Sequence, residues 1–553
     1  MLKTQPVFTS RNRLFLALAA ALGFLLAAGA FFFTASAQED DPPPPDRRVI
    51  TYVADEGYLW WLKQWEDNET VCEILIPHDG LPTWEEVSKV CGEDTFEAWR
   101  KTKACRAAVR GGDTKTCKGL FLLFAGYLEG ERAVVEELPK PSVALTLEGC
   151  DEQNLSNLCV GDPTLVLTAD EPLADERIVS ITAEVDDDVY ECKGYQCRIP
   201  LAPYKDQELK MTFWAESTYG DRTDEFSALV RASTLTWPAR PGSENWQIEV
   251  LSTQWIGAPP AACSLTWGSF PPIDPEGAWL TTPEDASGLA TDRAYDLLAG
   301  QLLRWGFVEA PDCPWDGLLA DGTASQCGVD ATRAEVETWQ NRFDERIFQV
   351  AQRTGLPAEL IKRIFALESQ FWPGQFPNLE EYGLGGLHPE GGDTLLLWNV
   401  SFYNQLCPLV LSEDYCALRY HELGDEEQEL LRGALAIQAD VSCPTCPNGI
   451  DLDRADESVD LFGNLILANC SQTGEIVRQT YRKAPGEVAS YTNLWRFTLA
   501  NYNAGSGCLY EAVDEIYFDK RPLDWINLRD VLLSLQACEG AVEYVERITG
   551  RYP

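Results

Sequence analysis

The sequence predicts a multidomain α+β protein, and three observations carry that reading. The chain has 553 residues with 45% hydrophobic content, more than one core usually holds, so several modules are expected. Between about residues 139 and 235 apolar and polar residues alternate as in strands, whereas Pro357–Phe371 repeats its apolar residues at helical spacing. Eighteen cysteines, even in number and clustered between Cys72 and Cys538, suit disulfide-stapled modules in an oxidising compartment.

The elements follow in chain order. Lys3, Arg11 and Arg13 precede an almost uncharged run, Leu14 to Thr34, and Ala35-Ser36-Ala37 then offers small residues of the kind a signal peptidase accepts. The run is long enough to span a bilayer, so residues 1–37 read either as a cleaved signal peptide or as a retained N-terminal membrane anchor; in both cases the remainder is outside the cell. Asp41-Pro-Pro-Pro-Pro-Asp46, within residues 38–49, is a stiff extended spacer. Residues 50–138 read as a small Cys-containing helical region, with helix-like stretches around Trp84–Val109 and Leu120–Glu136.

Residues 139–236 read as all-β. Val143/Leu145/Leu147, Val179/Ile181/Ala183/Val185, Leu209/Met211/Phe213/Ala215 and Phe226/Ala228/Val230 alternate with more polar residues, and Asp186-Asp-Asp188 and Tyr219-Gly-Asp221 mark turns between them. The expected form is an immunoglobulin-like β-sandwich, acting as a spacer or binding unit. Residues 237–334, rich in Pro, Gly and Trp, read as a connector with helical segments, and 335–553 as a mostly α-helical domain.

Chemistry concentrates in that last domain. Pro357 suits a helix's first turn, and Ile361, Ile364 and Phe365 lie seven, four and three residues before Glu368, which therefore falls on the apolar stripe. A carboxyl held among apolar groups has its charged form disfavoured and its pKa raised, the condition for an acid that donates near neutral pH. Late in the chain, Asn501-Tyr-Asn-Ala-Gly505 combines an aromatic hydroxyl, a side-chain amide and a glycine that lets backbone approach a ligand.

Glu368-Ser369, then Gly383-Leu384 fifteen residues on, then Tyr502-Asn503-Ala504-Gly505 occur in the order seen in the lytic transglycosylases of the goose-lysozyme-like superfamily, which the region from about Glu335 to Pro553 resembles. Pro389 keeps the register, and Tyr544-Val545 echoes the family's closing helix. The resemblance implies a lysozyme-like fold and cleavage of bacterial peptidoglycan glycan strands, with Glu368 as the catalytic acid and Tyr502 positioning it. It also places Ser369, Gly383, Leu384, Asn503 and Gly505 at the substrate. Where the family has Met-Gln, this chain has Gly385-Gly386, which removes a cleft-lining side chain. His388 receives no role. The scheme needs no metal and no cofactor.

A formal net charge of −43 makes nucleic acid a poor partner. Three scattered histidines leave little for metal-His or Ser-His chemistry, and no glycine-rich phosphate loop is present. Close spacings favour the bridges Cys150–Cys159, Cys192–Cys197, Cys313–Cys327 and Cys407–Cys416, with Cys443/Cys446 a further pair by spacing. Two other readings stay open. A true hydrolase of the same fold would use a second carboxylate, for which Glu380, Glu381 and Asp393 are near in sequence; a surface scaffold would hold glycan without cleaving it.

Overall fold

The computed structural model describes residues 47–150, 157–235, 245–374 and 381–550. The signal or anchor segment and nearly all of the proline spacer fall outside the described residues; among those described, no helix is long and apolar enough to cross a membrane. The chain forms two compact units. One joins the residues up to Ser142 with Asp170–Val179 and Ala215–Thr223, and the other holds Val143–Ala169, Ser180–Trp214 and everything from Asp224.

In the first unit, β1 (Arg48–Gln64) lies between β2 (Thr70–Ile76) and β3 (Leu120–Glu137), all antiparallel. Two short helices, α1 (Trp84–Cys91) and α2 (Glu93–Arg100), meet at Gly92, whose φ of 79° ends one helix and starts the next. Thr83 and Glu86 close a capping box on α1. Ile74, Ile76, Val87 and Phe96 make a small core, reinforced by Cys72–Cys91 and Cys105–Cys117. Arg47 is buried, with its guanidinium 2.6 Å from both Glu171 and Asp221. The expected helix over Leu120–Glu136 is instead strand β3. Pairing with β1 along its whole length satisfies the backbone and overrides the leucine-rich local preference.

In the second unit the alternating segments form strands, but as one curled sheet. Strands β4 (Ser142–Cys150), β5 (Leu158–Asp170), β6 (Ile178–Val185), β7 (Asp188–Lys193), β8 (Gln196–Pro200), β9 (Glu208–Ser217), β10 (Phe226–Leu235) and β11 (Asn245–Leu251) run in the order β4-β5-β11-β10-β9-β6-β7, with β8 also on β5. Strand β11 lies in the stretch read as connector. Its Trp246, Ile248 and Val250 are buried at alternate positions, a pattern too short to stand out beside the surrounding Pro and Gly.

Further on, the stretch expected as a connector with helical segments joins the helical body. Trp267, Trp279, Leu298 and Leu302 are fully buried in the same core as the helices beyond residue 335, so the helical body begins well before Glu335. That body contains α3 (Gln326–Asn341), α4 (Asp344–Thr354), α5 (Ala358–Glu368), α6 (Pro389–Trp398), α7 (Asp425–Ala439), α8 (Leu452–Tyr481), α9 (Tyr491–Phe518), α10 (Trp525–Ser534) and α11 (Gly540–Thr549). The long pair α8 and α9 packs side by side, and α11 touches both α9 and α5. On α5, Lys362 is fully buried and bonds Asp344 (2.5 Å) and Asn341 (2.9 Å); breaking such a pair strands a buried charge.

All eighteen cysteines are bridged. The four pairings favoured by spacing are formed, Cys443 joins Cys446, and Cys263–Cys470 and Cys508–Cys538 complete the second unit. Nine disulfides place the chain in an oxidising, extracytoplasmic environment.

Candidate active site

Helix α5 ends at Glu368, shorter than the expected Pro357–Phe371. The cause lies just beyond it: Gln370 and Phe371 both take positive φ, 46° and 65°, a costly conformation that surrounding contacts must hold. Gln370 Oε1 accepts from the Leu297 and Leu298 amides, Phe371 is fully buried, and its carbonyl accepts from Trp339 Nε1 at 2.9 Å. The chain turns away and leaves the Glu368 carboxyl at the helix end, on the wall of a cavity of about 550 Å³.

A glycine loop packs against this acid. Tyr382 and Leu387 exchange backbone hydrogen bonds, each 2.9 Å, and so close the segment between them. Two hydroxyls then pin consecutive carbonyls: Ser369 Oγ donates to Leu384 O (2.7 Å) and Tyr502 Oη to Gly385 O (2.6 Å). The Gly385-Gly386 departure has a steric reason here. A Cβ at Gly385 would lie 2.4 Å from Phe462 and 2.8 Å from Tyr502 Oη. At Gly386 (φ 63°) it would lie 3.1 Å from Glu368 Oε2 and 3.6 Å from Glu381 Oε2, so those two oxygens are no further apart than the sum of these distances.

Helix α9 breaks where the Tyr-Asn-Ala-Gly element falls. Gly505 adopts φ 82°, ψ 165°, a conformation open essentially to glycine alone, and the helix resumes beyond it. Tyr502, Asn503, Ala504 and Gly505 line the same cavity as Glu368.

Burial raises the Glu368 carboxyl to about 7; the Tyr544 hydroxyl opposes the rise and the Glu381 charge adds to it. Tyr544, on α11, is buried and its Oη has no partner at normal hydrogen-bonding geometry. It is close enough to favour the carboxylate without forming a full hydrogen bond, and burial beside the acid holds its own hydroxyl protonated. Tyr544→Phe is therefore expected to raise the Glu368 pKa further, moving its titration to higher pH. Carbon-detected titration of labelled glutamate checks this, and an unchanged midpoint counts against Tyr544 as the neighbour that matters.

The expected site residues divide into two groups. Glu368, Tyr502, Asn503 and Gly505 line the cavity. Ser369, Gly383 and Leu384, expected at the substrate, do not: Ser369 and Leu384 are fully buried, the Ser369 hydroxyl is spent on Leu384 O, and Gly383 packs on Ala439. They hold the loop. Tyr502, expected to orient Glu368, donates its hydroxyl to Gly385 O in the loop that packs against the acid. Among the expected second carboxylates, Glu381 lies beside Glu368, Asp393 lines the cavity but is bound by Tyr420 and Arg432, and Glu380 is outside the described residues. His388 caps α6 by accepting from the Gly391 amide and also lines the cavity.

Sequence reasoning passed over two cavity-lining amides, Asn469 and Gln472 on α8, and gave no role to a third, Asn501, which opens the Asn501–Gly505 element on α9. Nothing in the local pattern of α8 distinguishes them from ordinary polar positions. Among the described residues no group of three or more His, Cys, Asp or Glu is placed to hold a metal ion. No family model, curated protein or solved structure matches the chain.

Proposed function

We propose that the chain is an exported peptidoglycan lytic transglycosylase, cleaving the β-1,4 bond between N-acetylmuramic acid and N-acetylglucosamine. One observation carries the reading: a half-buried acid with a pKa raised to about 7 lines the same cavity as the Tyr-Asn-Ala-Gly break. Glu368 protonates the glycosidic oxygen as the C1–O bond breaks, and the substrate's own acetamide supports the cationic sugar. The resulting carboxylate takes the proton of the muramyl C6 hydroxyl as its oxygen closes on C1, giving a 1,6-anhydro ring and regenerating the acid. The pinned glycine loop keeps side chains out of the space beside the acid. The helical body is read as lysozyme-like, the curled sheet as an immunoglobulin-like spacer, and the N-terminal run as the export signal or anchor.

The proximity of Glu381 favours a second reading, hydrolysis, in which that carboxylate activates a water. Digestion of purified peptidoglycan separates the readings: anhydro-muropeptides mark the lyase, reducing ends the hydrolase, and bound but intact strands a scaffold. In either catalytic reading Glu368 must start protonated, so kcat/KM is expected to fall as pH rises through about 7. A rate that stays flat from pH 6 to pH 9 removes Glu368 as the acid.

A further inference from the structure

The amides on the cavity floor have hydrogen-bonding capacity that the protein itself does not use. Asn469 and Gln472 lie three residues apart on one face of α8, and Asn501 faces them from α9. Their orientations follow from one backbone carbonyl. Asn469 Nδ2 donates to Leu465 O (3.0 Å), so its Oδ1 is the atom that accepts from Asn501 Nδ2 (3.0 Å), which also reaches Asn469 O at 3.4 Å. The second Asn501 Nδ2 proton goes to Gln472 Oε1 (2.9 Å). With both protons committed, Asn501 presents only Oδ1. That atom is buried, on a residue 2% exposed, and has no hydrogen-bond partner among the described residues. Gln472 Nε2, turned the other way by its Oε1 bond, donates to no described residue, and both side chains line the cavity.

An unpaired buried acceptor is costly, and native structures rarely keep one without a use. Here it sits next to an unused amide donor. A secondary amide carries the complementary pair, one N–H and one C=O. We propose that Asn501 and Gln472, braced by Asn469, form a subsite for a secondary amide of the substrate, whose N–H donates to Asn501 Oδ1 and whose carbonyl accepts from Gln472 Nε2. The inference rests on reading the cavity as a glycan cleft. Two parts of a peptidoglycan strand supply this chemistry, the 2-acetamido group of the sugar and the amides of the stem peptide.

The test uses the full exported chain carrying Glu368→Gln, so that ligands bind without turnover. Calorimetry compares β-1,4-linked N-acetylglucosamine oligomers with β-1,4-linked glucose oligomers of equal length, which have a hydroxyl in place of the acetamide. A second comparison sets peptide-bearing muramyl strands against strands stripped of peptide. The acetylated oligomer, or the peptide-bearing strand, is expected to bind about tenfold tighter than its counterpart, the scale of one or two hydrogen bonds. Gln472→Met removes the donor from a half-buried position and should erase most of that gap. Gln472→Glu retains the acceptor for Asn501 Nδ2 yet lacks the donor, so it should behave like Met if recognition, not bracing, is the role. Whichever comparison loses its gap identifies the amide's source. Equal binding within both comparisons, or gaps that survive both variants, overturns the subsite while leaving the cleavage reading intact. If the Glu368→Gln protein binds no glycan and the parent releases no fragments, the glycan reading falls and the subsite with it.

Discussion

Glu368→Gln is expected to abolish glycan cleavage, with a loss of at least about 10²–10⁴-fold, the usual contribution of a well-placed acid–base group. Glutamine keeps the size and much of the hydrogen-bonding capacity of the side chain, but it has no proton to give. Folding should survive and, at high pH, improve. The folded pKa is about 7 against an ordinary 4.5, so burial disfavours the charged form. Below the unfolded pKa this group costs nothing; as pH rises from there to the folded pKa the unfolded chain ionises while the folded carboxyl stays neutral, and the native state loses about 3 kcal/mol in all. Gln never ionises. The melting temperature of Glu368→Gln should therefore match the parent near pH 4 and exceed it at pH 8. Wild-type cleavage by the variant would remove Glu368 from the mechanism, and an equal melting temperature at both pH values would remove its burial as the source of the raised pKa.

The paired substitution Cys263→Ala with Cys470→Ala is expected to be the most destabilising loss of a disulfide. This bridge spans a sequence separation of 207, against 5 for Cys192–Cys197. If a bridge acts mainly by restricting the unfolded chain, the chain-entropy relation gives about 5 kcal/mol for the long loop and about 2 kcal/mol for the short one. The bridge also joins the turn at Cys263, where φ is 66°, to the buried face of α8 beside the Trp267 ring, whose Nε1 donates to Cys470 O. Urea denaturation of the two double variants, compared at pH 7, measures the difference. Similar losses for both would show that native packing, and not loop closure, sets the contribution of the bridge.

Local signals were legible where one period ran long enough. The alternating segments later found in β4, β6, β9 and β10 were visible, as was the apolar stripe of α5 with Glu368 upon it. Strand β3 was misread because Leu, Ala and Glu favour helix locally, whereas its conformation is set by β1, more than fifty residues away. Within residues 237–334 the packing was not legible for a related reason: Trp267 and Trp279 sit among prolines and glycines, and only the assembled core shows that they belong with the helices. Ser369 and Leu384 carry a motif that suggested ligand contact; in the fold both are buried, with the Ser369 hydroxyl donating to Leu384 O.

By itself the sequence determined the α+β composition, the disulfide-bonded character, four of the cysteine pairings, and the place of Glu368 on the apolar stripe. Each of these depends on residues close together in the chain, where periodicity, spacing and charge act directly. Tertiary structure alone decided that Tyr502 holds a loop carbonyl while Tyr544 faces Glu368, that Glu381 lies beside the acid, and that Gln472 and Asn501, joined to Asn469, line the same cavity with unused amide groups. Those relations join residues separated by tens to more than a hundred positions. A hydroxyl or amide can bond many partners equally well, and which one it meets is fixed by the packing of α5, α8, α9 and α11, not by its neighbours in the chain.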